Sequence, residues 1–205
     1  MNALIVVDIQ NDFVTGGALA VPQGESIIPT VNQLIDTFDL VVATKDWHPK
    51  NHGSFVDNYP GKKVGDVIDL HGLDQILWPT HCVQHTQGAE FVEGLNTKGI
   101  RRVFSKGTDT DIDSYSGFYD NGHRKATGLE EYLKDKGVKD VYIAGLAADY
   151  CVKYTALDAL KVNFKTYLVK DATKGVDLNE GDVEKAFKNV QEAGGILLTS
   201  EELVG

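Results

Sequence analysis

The sequence predicts an α/β fold of three layers, α/β/α, around a central, mostly parallel six-stranded sheet. Three observations carry that expectation. Short runs apolar on both faces recur along the chain, as in strands covered by helices on each side. Segments with apolar residues at helical spacing alternate with them, which implies right-handed crossovers between parallel strands. Reactive side chains follow several of the apolar runs directly, where an open sheet binds ligands.

Taken in chain order, Ala3-Leu4-Ile5-Val6-Val7 reads as the first buried strand and ends at Asp8. A helix is expected over Glu25 to Phe38, with Ile27, Ile28, Val31, Leu34, Ile35 and Phe38 at helical spacing. Leu40-Val41-Val42-Ala43 is the second strand and leads to Asp46, and Val103-Phe104 is the third, closing at Lys106. Gly128 to Lys136 puts Leu129, Tyr132 and Leu133 on one stripe before Gly137, a C-terminal cap. Val141-Tyr142-Ile143-Ala144 runs into a Gly145 turn and a helix over Asp149 to Lys161. Thr166-Tyr167-Leu168-Val169, a helix over Asn179 to Ala193 stopped by Gly194-Gly195, and Gly195-Ile196-Leu197-Leu198 complete the set. Two stretches lack a sustained period, Asp46 to about Gly88 and Gly107 to about Thr127. They hold both tryptophans and all six histidines, so they are read as functional loops.

With 205 residues the chain suits one domain over 1–205, and its 42% hydrophobic and 24% charged residues are ordinary for a soluble protein. Thirty acidic against 20 basic residues give a formal charge of −10. That balance, without a basic stripe, argues against a nucleic-acid partner. No apolar run reaches membrane-spanning length, and the N-terminus enters a strand without a basic leader, so no membrane partner and a cytoplasmic location are expected. Cys82 and Cys151 make no disulfide framework, which fits a reducing compartment. The oligomeric state is open, a homo-oligomer included.

Topology alone brings Asp8, Asp46, Lys106 and Cys151 to one edge of the sheet. Each has a structural alternative: a turn cap for Asp8 or Asp46, a solvated charge for Lys106, a small buried apolar residue for Cys151. Their joint placement favours chemistry. A cysteine near the first turn of a helix and close to a lysine is expected to have a lowered thiol pKa. A carboxylate could take its proton and pass it to a leaving group. Backbone N–H groups at Leu146-Ala147-Ala148 and Cys151 are placed to hold an oxyanion. Asp46 and His48 are alternate residues, so their side chains leave a strand end on one side. A third imidazole from a later loop would complete a divalent-metal site with open positions.

With these residues in view, the chain resembles the nicotinamidases of the isochorismatase-like cysteine hydrolase superfamily over nearly its whole length. The likeness rests on Val7-Asp8-Ile9-Gln10-Asn11-Asp12-Phe13, Gly16-Gly17-Ala18-Leu19, Lys45-Asp46-Trp47-His48-Pro49 and Trp78-Pro79-Thr80-His81-Cys82. Phe104-Ser105-Lys106-Gly107, Asp113-Ser114-Tyr115-Ser116 and Gly145-Leu146-Ala147-Ala148-Asp149-Tyr150-Cys151-Val152 extend it. The resemblance implies hydrolysis of nicotinamide to nicotinate and ammonia, and of pyrazinamide, through a cysteine thioester. It makes Cys151 the nucleophile, Asp8 the proton carrier, Lys106 their electrostatic partner, and Ala147 and Cys151 the oxyanion donors. It implies one divalent metal on Asp46, His48 and His81, zinc ahead of iron or manganese, with His52 a fourth ligand in some relatives. Phe13, Trp78 and Tyr115 are implied to enclose the substrate ring, and a cis peptide is implied at Leu146-Ala147. One departure stands out: Ala148 occupies a position where the family pattern has threonine. The rivals are an amidohydrolase of the same superfamily acting on a carbamoyl or ureido substrate, a non-catalytic metabolite- or metal-binding module, and a hydrolase whose nucleophile is metal-bound water.

Overall fold

A computed structural model describes residues 1–204. The six expected strands form one sheet, as β1 (Asn2–Val7), β2 (Val41–Asp46), β5 (Arg102–Lys106), β6 (Asp140–Leu146), β7 (Lys165–Lys174) and β8 (Ile196–Leu198). Their spatial order is β5-β2-β1-β6-β7-β8, and every pairing is parallel. The chain builds outward from β1 on one side, then returns to build outward on the other. Strand order therefore reverses between β1 and β6, and the crevice beyond their carboxyl ends is where such sheets bind ligands.

Alternation along the strands sorts side chains into two cores. Leu4 and Val6 of β1 join Val41, Ala43, Ala144 and Leu146 beneath α1 (Ile28–Thr37), which supplies Val31, Leu34 and Ile35. Ala3, Ile5 and Val7 join Val42, Phe104, Val141 and Ile143 on the opposite face. That face is covered by α2 (Leu129–Asp135), α3 (Lys153–Lys161) and α4 (Asp182–Glu192) through Leu129, Leu133, Ala156, Ala159 and Val190. The short α5 (Glu201–Val204) lies against α1. Each fully buried Leu, Ile or Val stabilises this sandwich by roughly 1.5–3 kcal/mol.

Several elements differ from the sequence expectation. The helix expected from Glu25 starts as a 3-10 turn over Gly24–Ile27, and the one expected from Asp149 starts as a single wide π turn over Ala148–Val152. Within the stretch expected to lack regular structure, β3 (Val67–Leu70) and β4 (Leu73–Ile76) pair as an antiparallel hairpin. Its two turn residues, His71 and Gly72, both have positive φ (53° and 86°), the geometry of tight hairpin turns. Gly145, at φ 123°, is required by close approach: a Cβ there would lie 2.1 Å from the Val7 carbonyl oxygen. That approach seats the end of β6 against the end of β1. No helix among the described residues is long and apolar enough to cross a membrane.

Candidate active site

Asp8 follows β1 at a positive φ of 47°, turning its carboxylate over the sheet edge. Thr44 Oγ1 donates to Asp8 Oδ1 at 2.6 Å, while Asp8 Oδ2 accepts no hydrogen bond although Lys106 Nζ lies 2.8 Å away. The reason lies in the ammonium's three hydrogens. They are directed to Asp46 Oδ1, to the Ser114 carbonyl oxygen at 2.9 Å and to Cys151 Sγ at 3.3 Å. Asp8 and Lys106 are almost wholly buried, at 0% and 2% exposure, so this ion cluster sits out of water. The sequence-expected quartet is thus assembled, with a free carboxylate oxygen beside the thiol. Ligand atoms of Asp8, Asp46 and Cys151 lie within 4.8 Å of one another, and Lys106 fills the cationic position among them.

Electrostatics here differ from one expectation. Burial pushes the Cys151 thiol well above its ordinary value; Lys106 opposes this, and the carboxylates of Asp8 and Asp46 reinforce it. Lys106 thus pulls the thiol pKa down as expected, but desolvation and two nearby anions outweigh it and the net shift is upward. Asp8 is also raised, by burial first and then by Asp46, against the pull of Lys106. Burial alone would raise Asp46, but Lys106 and His48 hold it well below the usual carboxylate range. Burial likewise disfavours the Lys106 ammonium, yet Asp46 and Asp8 keep it charged with a pKa well above normal.

Asp46 ends β2, and its backbone is clamped by Gln10, which donates to the Asp46 carbonyl (2.8 Å) and accepts from its N–H (2.7 Å). His48 Nδ1 lies 2.8 Å from the Gly107 carbonyl oxygen and His81 Nδ1 2.7 Å from that of Pro79. A carbonyl only accepts, so each Nδ1 carries the proton and each Nε2 keeps its lone pair. Those Nε2 atoms stand 3.5 and 3.7 Å from Asp46 Oδ2. Four-coordinate zinc with bonds of roughly 2.0–2.1 Å separates its ligand atoms by roughly 3.3 Å. Asp46, His48 and His81 therefore fit a divalent cation by donor chemistry, tautomer and spacing. His52 stands outside that trio and groups instead with His48 and Asp113; its Nδ1 meets Ser54 Oγ at 2.7 Å, and its buried Nε2 has no partner. Burial lowers the His52 pKa to about 4, against the raising effect of Asp113.

A cavity of about 380 Å³, open mouth included, connects these groups. Asp46, His81, Asp113, Ala147 and Cys151 line it, and so do Phe13, Trp78 and Tyr115. The aromatic wall is stiffened by Trp78 Nε1 donating to Tyr115 Oη at 3.0 Å. Gln75 Nε2, from the hairpin, reaches both Tyr115 Oη (3.3 Å) and Asp113 Oδ2 (3.1 Å). Leu146-Ala147 is a cis peptide bond. Tyr150 N and Val152 N both donate to the Ala147 carbonyl at 3.1 Å, whereas the intervening Cys151 N–H does not. Cys82 is fully buried packing. Sequence reading gave no role to Leu19, Asp113, Tyr150 and Val176 in the walls, or to Thr44, Gln10 and Gln75 behind them. Only Asp113 and Gln10 carried a signal, as polar members of the quoted motifs.

Fold and site together define a doubly covered parallel α/β protein with a thiol, a carboxylate and an ammonium at its switch point, next to a histidine–carboxylate trio that could hold a metal ion. The Isochorismatase domain profile matches residues 2–202, and the chain belongs to that family. It is 44% identical over 201 residues to a nicotinamidase of Escherichia coli K12, covering 96% of this chain and 94% of that one. A solved nicotinamidase/pyrazinamidase of Acinetobacter baumanii is 48% identical and superposes with a TM-score of 0.96, covering 98% of this chain and 97% of that one. A pyrazinamidase of Pyrococcus horikoshii, solved in complex with zinc, is 44% identical with a TM-score of 0.79, covering 97% and 98%.

Proposed function

We propose that this chain is a nicotinamidase, hydrolysing nicotinamide to nicotinate and ammonia and deamidating pyrazinamide by the same route, with residues 1–205 acting as one catalytic domain. One observation carries the chemistry: a buried Lys106 ammonium 2.8 Å from Asp8 Oδ2 and 3.3 Å from Cys151 Sγ at the floor of an aromatic-walled cavity. A module that only binds metabolites has no use for a desolvated thiol beside a carboxylate oxygen lacking a donor.

Phe13, Trp78 and Tyr115 would enclose the flat ring and present its carboxamide to Cys151. Asp46, His48 and His81 would hold one divalent cation, zinc ahead of iron or manganese, supported by the donor set and by the zinc-bound relative. Bound there, such a cation would supply a Lewis-acid anchor for the ring nitrogen. Cys151 Sγ attacks the carboxamide carbon as its proton passes to Asp8 Oδ2, and the N–H groups of Ala147 and Cys151 receive the oxyanion. Asp8 returns the proton to the amine as the C–N bond breaks, leaving a thioester and ammonia. Water then attacks the thioester carbon while Asp8 takes its proton, and collapse restores the thiol and frees the acid. Lys106 stays protonated throughout and stabilises the Asp8 carboxylate each time it forms. A reducing, cytoplasmic setting belongs to the same reading, since the thiol must stay free.

The test is ammonia release from nicotinamide. Cys151→Ala should abolish it, and substantial turnover by that variant would sink the mechanism.

A further inference from the structure

The connection after β7 contributes Val176 to the cavity wall. Its place is not set by its own packing alone. Asp149, buried in the turn that carries Cys151, accepts Val176 N at 3.0 Å through Oδ1 and Asp177 N at 2.7 Å through Oδ2. Gly175 has no room for a side chain, since a Cβ would lie 2.2 Å from Val183 Cγ2 and 2.9 Å from Asp149 Oδ1. Asp177 adopts a positive φ of 53°, and its Oδ1 accepts Val183 N (3.3 Å) at the start of α4. The three-residue segment is thus pinned between the nucleophile turn and α4, and Val176, half-buried against the apolar core, cannot retreat from a bulky ring.

We infer that Val176 is a specificity-determining wall of the ring pocket, with Asp149 as its positioning residue, and that together they confine substrates to flat azine carboxamides without an alkyl group on the ring edge facing Val176. This rests on the nicotinamidase reading above and deepens it. Two parallel charge-assisted bonds need both carboxylate oxygens. Asparagine retains one acceptor, so it frees one backbone N–H and loosens the wall while leaving the thiol and its carboxylate in place.

The experiment compares kcat/KM for nicotinamide and its 2-, 4-, 5- and 6-methyl derivatives in the wild type, Val176→Ala, Val176→Leu and Asp149→Asn, together with the rate of Cys151 alkylation by iodoacetamide. Discrimination worth a methyl group is roughly 10–200-fold. Val176→Ala should raise the methyl-to-parent ratio at least tenfold at one ring position, and Val176→Leu should lower it there. Asp149→Asn should shift the same position through KM, with alkylation at the wild-type rate. Ratios unchanged at every position in both Val176 variants overturn the assignment of the wall. A uniform fall in kcat with slowed alkylation in Asp149→Asn overturns its positioning role and makes it a scaffold of the nucleophile turn. Should the wild type leave nicotinamide intact, the functional reading fails by itself; the wall is then scored by melting-temperature shifts with nicotinate and its methyl derivatives, which follow the same order if it stands.

Discussion

Replacing Lys106 by methionine removes the positive member of a buried ion cluster while nearly conserving volume. At an effective dielectric near 20, the 2.8 Å contact with Asp8 is worth roughly 6 kcal/mol of attraction, and Asp46 adds a comparable amount. Most of that is offset by the cost of desolvating the ammonium, which the variant no longer bears. What remains is two carboxylates facing each other out of water, and breaking such a pair from one side costs about 3–5 kcal/mol. Urea unfolding of chelator-stripped protein should therefore shift its midpoint down by about 1–2 M at pH 8. The sign of the pH dependence follows from Asp8. Its folded pKa is already raised by burial, and losing Lys106 raises it further. A carboxyl whose folded pKa exceeds its unfolded value destabilises the fold increasingly as pH rises from the unfolded value through the folded one. The deficit should therefore shrink at pH 5. Equal stability of the two proteins at pH 8, or a deficit that grows on acidification, would refute this account of the cluster.

Two further outcomes follow from the same geometry. Asp8 must be ionised to accept the thiol proton, so kcat/KM should fall on acidification through a pKa raised from the ordinary aspartate value by burial; Asp8→Asn should remove that limb along with about 10²–10⁴ of the rate, measured in single turnovers. His81→Ala should lower the metal content found by elemental analysis and raise KM more than it lowers kcat, since the trio is proposed to orient the ring rather than make the nucleophile.

The convergence of side chains at the sheet edge was legible because each of these residues directly follows an apolar run or its exit turn. Asp8, Asp46, Lys106 and Cys151 needed only strand direction to be brought together. The hairpin of β3 and β4 was not legible: four-residue strands joined by His71-Gly72 give too short an alternation, and histidine is an uncommon turn residue. Val176 and Tyr150 escaped because an apolar or aromatic residue facing a cavity looks like one facing a core. Gln75 escaped because its role is a hydrogen bond to a residue 38 positions away, which no local pattern encodes; Gln10 stood in a quoted motif, but its partner 36 positions away could not be read from it. The raised thiol pKa of Cys151 depends on summed burial and on two carboxylates from separate strands. A helix start and a nearby lysine, both visible in the sequence, pointed the other way.

In the proposed mechanism, the raised thiol needs a partner to take its proton. Lys106 cannot be the shuttle, since Asp46 and Asp8 outweigh the burial penalty and hold its pKa well above normal, and all three of its hydrogens are already placed. Among the described residues, Asp8 offers a carboxylate oxygen free of donors beside Cys151 and has a raised pKa, which supports its proposed part as proton carrier. The same saturation acts on the product. A newly formed carboxylate at Cys151 finds no spare Lys106 hydrogen and meets Asp8 and Asp46, whereas the neutral carboxamide met no such repulsion. In the proposed mechanism the substrate enters neutral and the product leaves as an anion, so the site repels what it makes more than what it takes in.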